Sequence, residues 1–311
     1  MSATQTSPTH SYYGRPILKE PVWTWEIPAY FFTGGLAGAS ATLGLVADVS
    51  GNQPLARSAW TAALAGVAAS PAFLISDLGR PERFLNMLRV FKITSPMSVG
   101  TWILTAAGGA FTASLARVRW QRLTRIGAAG GALGGAVLGP ALSTYTAVLV
   151  ADTAIPAWHE ARRQLPFVFA GSSMGAAGAA ACILTPVAHA APARRLAVAG
   201  AVLEGVASQV MERHLGPLGR PYHEGASGRF SLAAKTLTVS GAATIARFGR
   251  RRAAAAAGGS LLLGGSLCER FAVYHAGIQS ARDPRATVGP QRARTAAATG
   301  APAASAALTA G

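Results

Sequence analysis

The sequence has little of what a redox metal site requires. Its 311 residues include two cysteines, Cys182 and Cys268, and each stands alone in an apolar stretch instead of in a CxxC pair. Lone cysteines exclude a self-contained iron–sulfur or zinc site and give no disulfide framework. The six histidines lie outside the long apolar segments or at their ends. A di-haem cytochrome b needs histidines deep in facing transmembrane helices, so we predict a chain without haem or metal of its own.

Charged residues are also scarce, at 13% of the chain, whereas half of the residues are hydrophobic and glycine and alanine are abundant. That composition is typical of a polytopic membrane protein. A net charge of +16 would suggest a nucleic-acid partner in a soluble chain. Here, however, lysine and arginine cluster between apolar segments and are nearly absent inside them. We therefore expect them to set topology and to contact membrane lipid, with no nucleic-acid partner.

The two ends of the chain lack the patterns of membrane spans. Residues 1–24 contain three prolines and no continuous apolar region, which predicts an extramembrane N-terminal segment without a cleavable signal peptide. The first span is then retained. Residues 277–311 are polar, then rich in alanine without periodicity, which predicts a disordered tail, at least beyond Arg294.

Apolar segments near the roughly 20 residues needed to cross a bilayer recur between these ends. The predicted spans are about 26–48, 55–76, 97–116, 126–151, 164–188, 194–212, 231–248 and 253–273. Lys235 and Arg247 shorten the apolar part of the seventh predicted span. We count it as a span because long side chains can snorkel to the membrane interface, and because it makes the number of spans even. We predict an all-α, polytopic transmembrane helix bundle of about eight spans over 25–276. Four spans plus four would permit two four-helix bundles.

The orientation of these spans in the membrane does not follow from their flanking charges. With eight spans, both termini lie on the same side. With Arg270 and the four arginines after it counted as surface charges of the tail, the terminal side carries 17 lysine and arginine residues against 11 on the other side, and setting those five aside leaves 12 against 11. The positive-inside rule therefore does not decide between the two orientations.

A basic connector, residues 76–98, separates the second and third predicted spans. It contains four cationic residues: Arg80, Arg83, Arg89 and Lys92. Gly79 and Pro81 end the second span sharply, since proline cannot continue helical hydrogen bonding and restricts the residue before it. From Glu82 onward, apolar residues recur on one helical face: Phe84, Leu85, Leu88 and Phe91. The pattern predicts a short amphipathic helix in the interface plane, and attraction to anionic lipid headgroups would explain its charge alone.

The sixth predicted span contains an acidic residue, Glu204, about halfway across. Glu204, Ser208 and Glu212 follow i, i+4, i+8 spacing, so we expect them on one helix face. An acidic residue at the centre of a span costs about 2.5–3.5 kcal/mol on insertion scales, which favours a functional role in proton transfer. A neutral glutamic acid that joins two helices is the alternative. Asp77 and Asp152, at span ends, are weaker candidates for the same proton traffic.

Three stretches resemble the NrfD/PsrC family of polysulfide reductase membrane subunits. They are "YYGRPILKEPVWTWEIPAYFFTGGLAGAS", "DLGRPERFLNMLRVFKITSPMSVGTW" and "PAWHEARRQLPFVFAGSSM". The resemblance implies a haem-free, quinone-interacting subunit of an oxidoreductase complex in the bacterial cytoplasmic membrane. It further implies a four-cluster ferredoxin-like iron–sulfur partner, a molybdopterin catalytic subunit, and electron exchange with menaquinone or ubiquinone in anaerobic respiration.

The resemblance also implies where a quinone would bind. Carried over by motif, the contact positions are Glu26, Ile27 and Tyr30 at the start of the first span and Tyr145 on the fourth, with Asp77 beside them. Related chains can carry histidine at the Tyr30 position and a polar residue at the Ile27 position. A tyrosine hydroxyl can donate to a quinone oxygen, and Glu26 could supply the proton.

The predicted connector lies on the same membrane side as this pocket, if there are eight spans. A basic platform there would orient an acidic iron–sulfur partner, so the predicted docking residues are Arg80, Arg83, Arg89 and Lys92. Two other classes of function stay open. A secondary transporter should show inverted repeats, and none is visible in the sequence. An inert membrane anchor would not need ionisable groups within its spans.

Overall fold

A computed structural model describes residues 18–78, 80, 82–89, 91–120 and 124–288. All regular secondary structure in these ranges is helical, which confirms the predicted all-α class. The start of the predicted extramembrane segment and the tail beyond residue 288 lie outside the described residues. The last long helix continues to Arg282, past the predicted domain boundary at 276, and residues 284–288 are helical as well, so the start of the predicted disordered tail is ordered.

The first half of the fold contains four long helical segments and one short helix. Its helices are α1 Glu26–Val49, α2 Gln53–Asp77, α3 Glu82–Met87, α4 Pro96–Trp120, α5 Thr124–Leu133 and α6 Gly139–Ala151. A π-helical turn, Gly134–Leu138, joins α5 to α6 and makes them one continuous segment. The turn contains the fourth residue before Pro140, whose carbonyl the proline ring would clash with in a regular helix.

The second half contains a short helix and four long ones. They are α7 Pro156–Glu160, α8 Leu165–Leu184, α9 Ala191–Leu215, α10 Gly225–Phe248 and α11 Arg252–Arg282. Within the described residues, eight long helical segments thus correspond one to one with the eight predicted spans. Five of them are long and apolar enough to cross a membrane: α1, α2, α4, Arg125–Ala151 and α8.

Helices α9, α10 and α11 are less apolar, and α9 shows why. Its outer face carries Val202, Val206 and Val210, which are 60%, 55% and 50% exposed, while Glu204 on the inner face is 5% exposed. The acidic residue in the middle of α9 therefore faces the protein. At 1.5 Å per residue its 25 residues extend about 37 Å, more than the roughly 30 Å hydrocarbon core of a bilayer. These features support the prediction of eight spans.

The contacts group the long helices into two sets of four. Helices α1, α2, α4 and α5–α6 form the first bundle, and α8 to α11 form the second; α1 and α6 join them by packing on α8. Small residues allow the closest approaches. A Cβ atom on Gly38 of α1 would lie 2.3 Å from the carbonyl oxygen of Gly139 in α6, and one on Gly200 of α9 would lie 2.2 Å from the backbone nitrogen of Gly175 in α8. Such backbone contact is a common mode of helix association in membranes.

Short connections make neighbouring helices antiparallel, so the fold has two ends. At the end where α1 begins, which we call the proximal side, Thr24 donates from its backbone and its hydroxyl to Asp77 at the end of α2, over 3.1 and 3.0 Å. At the opposite, distal side, the Asn52 amide donates to the His189 carbonyl over 3.0 Å. The connector with α3 lies on the proximal side, because α2 ends there and α4 begins there.

Candidate functional site

Two tyrosine hydroxyls meet inside the first bundle. The hydroxyl oxygens of Tyr30 in α1 and Tyr145 in α6 lie 2.6 Å apart, although 115 positions separate the residues in the chain. Tyr30 is 1% exposed and Tyr145 is half-buried. The Tyr145 ring lies against Gly100 of α4, where an added Cβ would come within 2.2 Å of the ring. The structure thus joins two of the predicted site residues, and a glycine on a third helix makes room for them.

This hydroxyl pair has one proton that can be donated outside it. Each phenol carries a single O–H, and the bond between the two oxygens uses one of the two protons. Tyr30 is the more enclosed residue, so donation from Tyr30 to the Tyr145 oxygen satisfies the buried group and leaves the Tyr145 proton free. The Tyr30 carbonyl is occupied separately by the Thr33 hydroxyl, at 3.2 Å. The pair can therefore present a hydrogen-bond donor to a ligand on the Tyr145 side.

The other predicted residues at the start of α1 hold the helix ends together. The Glu26 carboxylate accepts a hydrogen bond from the Ser76 hydroxyl and contacts the Thr24 hydroxyl, and Asp77 accepts from the Thr24 backbone. Among the described residues, no hydrogen bond links Glu26 or Asp77 to either tyrosine. Glu26 lies one helical turn before Tyr30, on the same face of α1 but nearer the surface. Ile27 is 6% exposed and belongs to the apolar core.

The segment before α1 crosses the proximal end of the second bundle. Trp23 stacks on the buried Trp158, with ring centroids 5.7 Å apart, and its carbonyl accepts a hydrogen bond from the Tyr274 hydroxyl. Arg282 makes two hydrogen bonds of 2.8 Å to the Glu20 carboxylate. These bonds hold the pKa of the Glu20 carboxyl below its usual value. The segment thereby ties the start of α1 to the end of α11.

The connector is less helical than its apolar pattern predicts. Helix α3 ends at Met87, and the Arg89 amide bonds to the Asn86 carbonyl in a tight turn. The prediction that the amphipathic helix reaches Phe91 is therefore wrong. The β-branched residues Ile93 and Thr94 that follow disfavour helix because they lose rotamer freedom there.

The connector nevertheless presents a mixed basic and apolar surface on the proximal side. Three of the four predicted docking residues are exposed: Arg80, Arg89 and Lys92. The side chain of the fourth, Arg83, lies outside the described part of the structure. Phe91 is 60% exposed and Ile93 is 79% exposed beside them.

Comparison with protein families identifies the chain. The family model for polysulphide reductase NrfD matches residues 17–200, more than half of the sequence. The chain belongs to the NrfD family. Family membership implies that it is a multi-pass membrane subunit of a quinone-linked oxidoreductase complex, and the five apolar helices agree with a membrane location. No curated protein matches the chain.

The family match covers one part of the NrfD chain's polar interior and leaves out another. Tyr30, Tyr145 and the connector fall within residues 17–200. A second polar cluster falls beyond them, in the second bundle. It consists of Glu204 on α9 with Glu269 and Arg270 on α11, which are 5%, 5% and 1% exposed.

Arg270 is the centre of this buried cluster. Its Nη2 atom donates to the Phe169 carbonyl and the Ser173 hydroxyl, both at 3.0 Å, and its guanidinium group lies 3.7 Å from the centroid of the Phe169 ring. Its Nε and Nη1 atoms have no hydrogen-bond partner among the described residues. The electrostatic interactions of Arg270 extend to both carboxyl groups, those of Glu204 and Glu269.

Sequence reasoning finds Glu204 but misses Glu269 and Arg270. The prediction that Arg270 is a surface charge is wrong, because this residue is almost fully enclosed between α11, α8 and α1. The available signal is the stretch "CERF" at 268–271, which places two charges inside an otherwise apolar helical segment. Charges at such a position are costly unless they face the protein interior.

The predicted face of α9 leads from this cluster towards the proximal surface. Ser208, one turn after Glu204, is 7% exposed, and its hydroxyl has no partner among the described residues. Glu212, one turn further, is half-buried and pairs with Lys235 at 2.7 Å. Asp152 is exposed at the end of α6, away from this face. In the described residues, no three His, Cys, Asp or Glu side chains are grouped as a metal site would require.

Proposed function

We propose that this NrfD-family chain exchanges electrons between a partner iron–sulfur protein and the membrane quinone pool. The observation that carries the proposal is the pair of hydroxyls of Tyr30 and Tyr145, 2.6 Å apart inside the first bundle. This pair fits a quinone because a quinone carbonyl accepts one hydrogen bond from the proton that the pair leaves free. The partners are a four-cluster ferredoxin-like subunit and a molybdopterin catalytic subunit, in the bacterial cytoplasmic membrane, with menaquinone or ubiquinone as substrate.

The chain's own residues bind the quinone and supply protons to it. When bound, a quinone takes up two electrons and two protons on full reduction. The Tyr145 hydroxyl donates the hydrogen bond, and the Tyr30 hydroxyl replaces the proton that Tyr145 gives up. Glu26, one turn from Tyr30 and half-buried near the proximal surface, takes protons from water and returns one to Tyr30 for each proton that Tyr30 gives up. Electrons enter from a cluster of the partner, which approaches from the proximal side.

Two simpler functions account for fewer of the observations. An inert anchor needs an apolar exterior, but it has no use for a buried pair of bonded phenols or for a buried arginine with two nitrogens that lack a partner in the described part of the chain. A transporter is expected to bind its solute between inverted repeats near the midplane, and the sequence shows no such repeat. Family membership favours the redox function over both.

The proposal is tested by purifying the intact complex from the membrane of the source cell. We expect the chain to co-purify with an iron–sulfur protein and with molybdenum, and the purified complex to reduce or oxidise a soluble quinone analogue. Dilution of the complex in detergent should remove the activity as the partner dissociates. Isolation of the chain without any iron-containing partner, under conditions that preserve other respiratory complexes, would contradict the proposal.

A second candidate function, proton transfer through the second bundle, is favoured by the buried cluster around Arg270. Two carboxyl groups and one guanidinium group are electrically neutral together when the carboxyls share one proton, which avoids a net buried charge. Glu204, Ser208 and Glu212 then provide successive polar groups from this cluster to the proximal surface. Phe169, under the guanidinium group, packs against Phe31, the neighbour of Tyr30, so the two polar sites are adjacent across the bundle interface.

Replacing Glu204 with glutamine should lower the number of protons moved per electron in reconstituted vesicles. Glutamine keeps the size and hydrogen bonding of the side chain but cannot carry a transferable proton. The exposed Glu224, replaced in the same way, is the matched control and should leave proton movement unchanged. Full turnover with unaltered proton stoichiometry in Glu204→Gln would remove the proton-transfer function and leave the quinone site unaffected.

A further inference from the structure

A groove of about 580 Å³ lies on the outside of the molecule where the two bundles meet. Helices α1, α6, α8 and α9 form its walls. Its lining is almost entirely apolar and includes Ala39, Val46, Met174, Leu196 and Ala199. Its volume falls in the range of ligand-binding cavities, about 300–1,000 Å³. A hydrocarbon chain is the kind of molecule that fits such walls.

The hydroxyl groups in the groove offer no free proton to a ligand. Thr42 donates to the Gly135 carbonyl at 2.8 Å, and Ser143 and Thr144 donate to carbonyls of their own helix at 2.9 Å. Each hydroxyl has one proton, and each proton is already used. A quinone carbonyl would therefore find no donor in the groove, unlike at the tyrosine pair. An aliphatic chain needs none.

One cationic residue, Arg195, lies at the distal end of the groove. Its side chain is exposed and has no hydrogen bond or ion pair among the described residues. Arg195 is in the first turns of α9, which begins on the distal side. The groove extends along α1 from Ala39 to Val46, about 10 Å at 1.5 Å per residue, so it covers most of one leaflet's hydrocarbon. The guanidinium group thus lies where the headgroups of the distal leaflet begin.

We propose that this groove binds an anionic phospholipid of the distal leaflet. One acyl chain lies between the two bundles, and the phosphate accepts hydrogen bonds from Arg195. A guanidinium group matches a phosphate with two parallel N–H donors, and a net negative headgroup neutralises the otherwise unpaired cation. The lipid then seals the outer edge of the junction where α1 and α6 meet α8, on the opposite side from the surface we assign to the partner.

The test measures which phospholipids stay bound to the purified protein. The wild-type chain, stripped in detergent and mixed with equal amounts of phosphatidylglycerol and phosphatidylcholine, should retain about one phosphatidylglycerol by native mass spectrometry. Arg195→Gln should weaken this preference about tenfold, the effect of losing a charge-assisted hydrogen bond. Ala199→Phe, which adds a ring inside the groove, should reduce retention of both lipids. The helical content of each variant, measured by circular dichroism, identifies any that fail to fold.

Arg250→Gln is the matched control, since Arg250 is exposed on the same distal side but does not line the groove. It should retain phosphatidylglycerol as the wild type does. Equal losses from Arg195→Gln and Arg250→Gln would show a general surface charge effect and overturn the site. Unchanged retention in Arg195→Gln would overturn the headgroup contact. Displacement of the lipid by an equimolar quinone analogue would identify the groove as a quinone site and overturn the lipid assignment.

Discussion

Replacing Tyr145 with phenylalanine is expected to slow quinone reduction by about 10- to 100-fold, with the complex still assembled. The change removes the one hydroxyl proton that the buried pair can give to a ligand. A positioned general acid contributes about 10²–10⁴-fold to a rate, and a neutral hydrogen bond contributes several-fold to binding. The expected loss reaches only the lower limit of the general-acid contribution because water can replace part of the proton supply. Steady-state kinetics with a soluble quinone analogue measure it.

Tyr30→Phe should have a smaller effect on the same reaction. Tyr30 is deeper and acts through Tyr145, so its loss leaves the outward donor in place but removes the group that replaces its proton. Tyr222→Phe is the matched control, because Tyr222 is 2% exposed, lies in the connection between α9 and α10 away from the tyrosine pair, and has a hydroxyl without a partner among the described residues. If Tyr145→Phe and Tyr30→Phe both reduce quinone at the wild-type rate, the tyrosine pair is structural and the quinone site lies elsewhere.

The sequence predicts the helices far better than it predicts which helices meet. Span length and apolarity are local properties, so eight segments can be read from hydropathy alone. The contact between Tyr30 and Tyr145 depends on how α1 packs on α6, which the close approach of Gly38 and Gly139 controls. Local patterns contain no information on that pairing. Only the resemblance to a family suggests that the two residues act together.

Arg270 illustrates a second limit of sequence reasoning. A charge near the predicted end of a span is usually at the membrane surface, and only the apolar residues on both sides of "CERF" indicate that this one is not. The helix in fact continues to Arg282, so position 270 lies well inside it. The longer helix, and the enclosure of Arg270 by α8 and α1, are tertiary effects. For α3 the error has the opposite direction. The apolar pattern predicts a longer helix than the one observed, because a local turn ends α3 at Met87.

The connector offers the sharpest test of how the partner binds. Its exposed basic residues Arg89 and Lys92 flank the exposed Phe91, on the same side as the start of α1 and the end of α6. Binding to lipid headgroups would explain the positive charges of the connector, but it would not explain why the connector lies beside the tyrosine pair. Under the proposed function, an iron–sulfur partner brings its cluster close to the quinone, so a surface at this position suits an acidic partner.

Reversing both charges, with Arg89→Glu and Lys92→Glu in one variant, should release the iron–sulfur subunit from purified membranes while the amount of this chain stays constant. Like charges placed across an interface cost several kcal/mol, so the affinity should fall at least about tenfold. Salt should also release the partner from this variant at a lower ionic strength than from the wild type, because less electrostatic attraction has to be screened. Immunoblots of washed membranes measure both effects.

The same double reversal on the distal side, Arg250→Glu with Arg251→Glu, is the control, because both residues are exposed and lie on the side of the membrane that the partner does not reach in this proposal. It should leave the partner bound. If the connector variant also keeps its partner and reduces quinone normally, the connector contacts only lipid. The two double variants change exposed residues on opposite sides of the membrane. Release of the partner by the connector variant alone would therefore identify the proximal surface as the docking site.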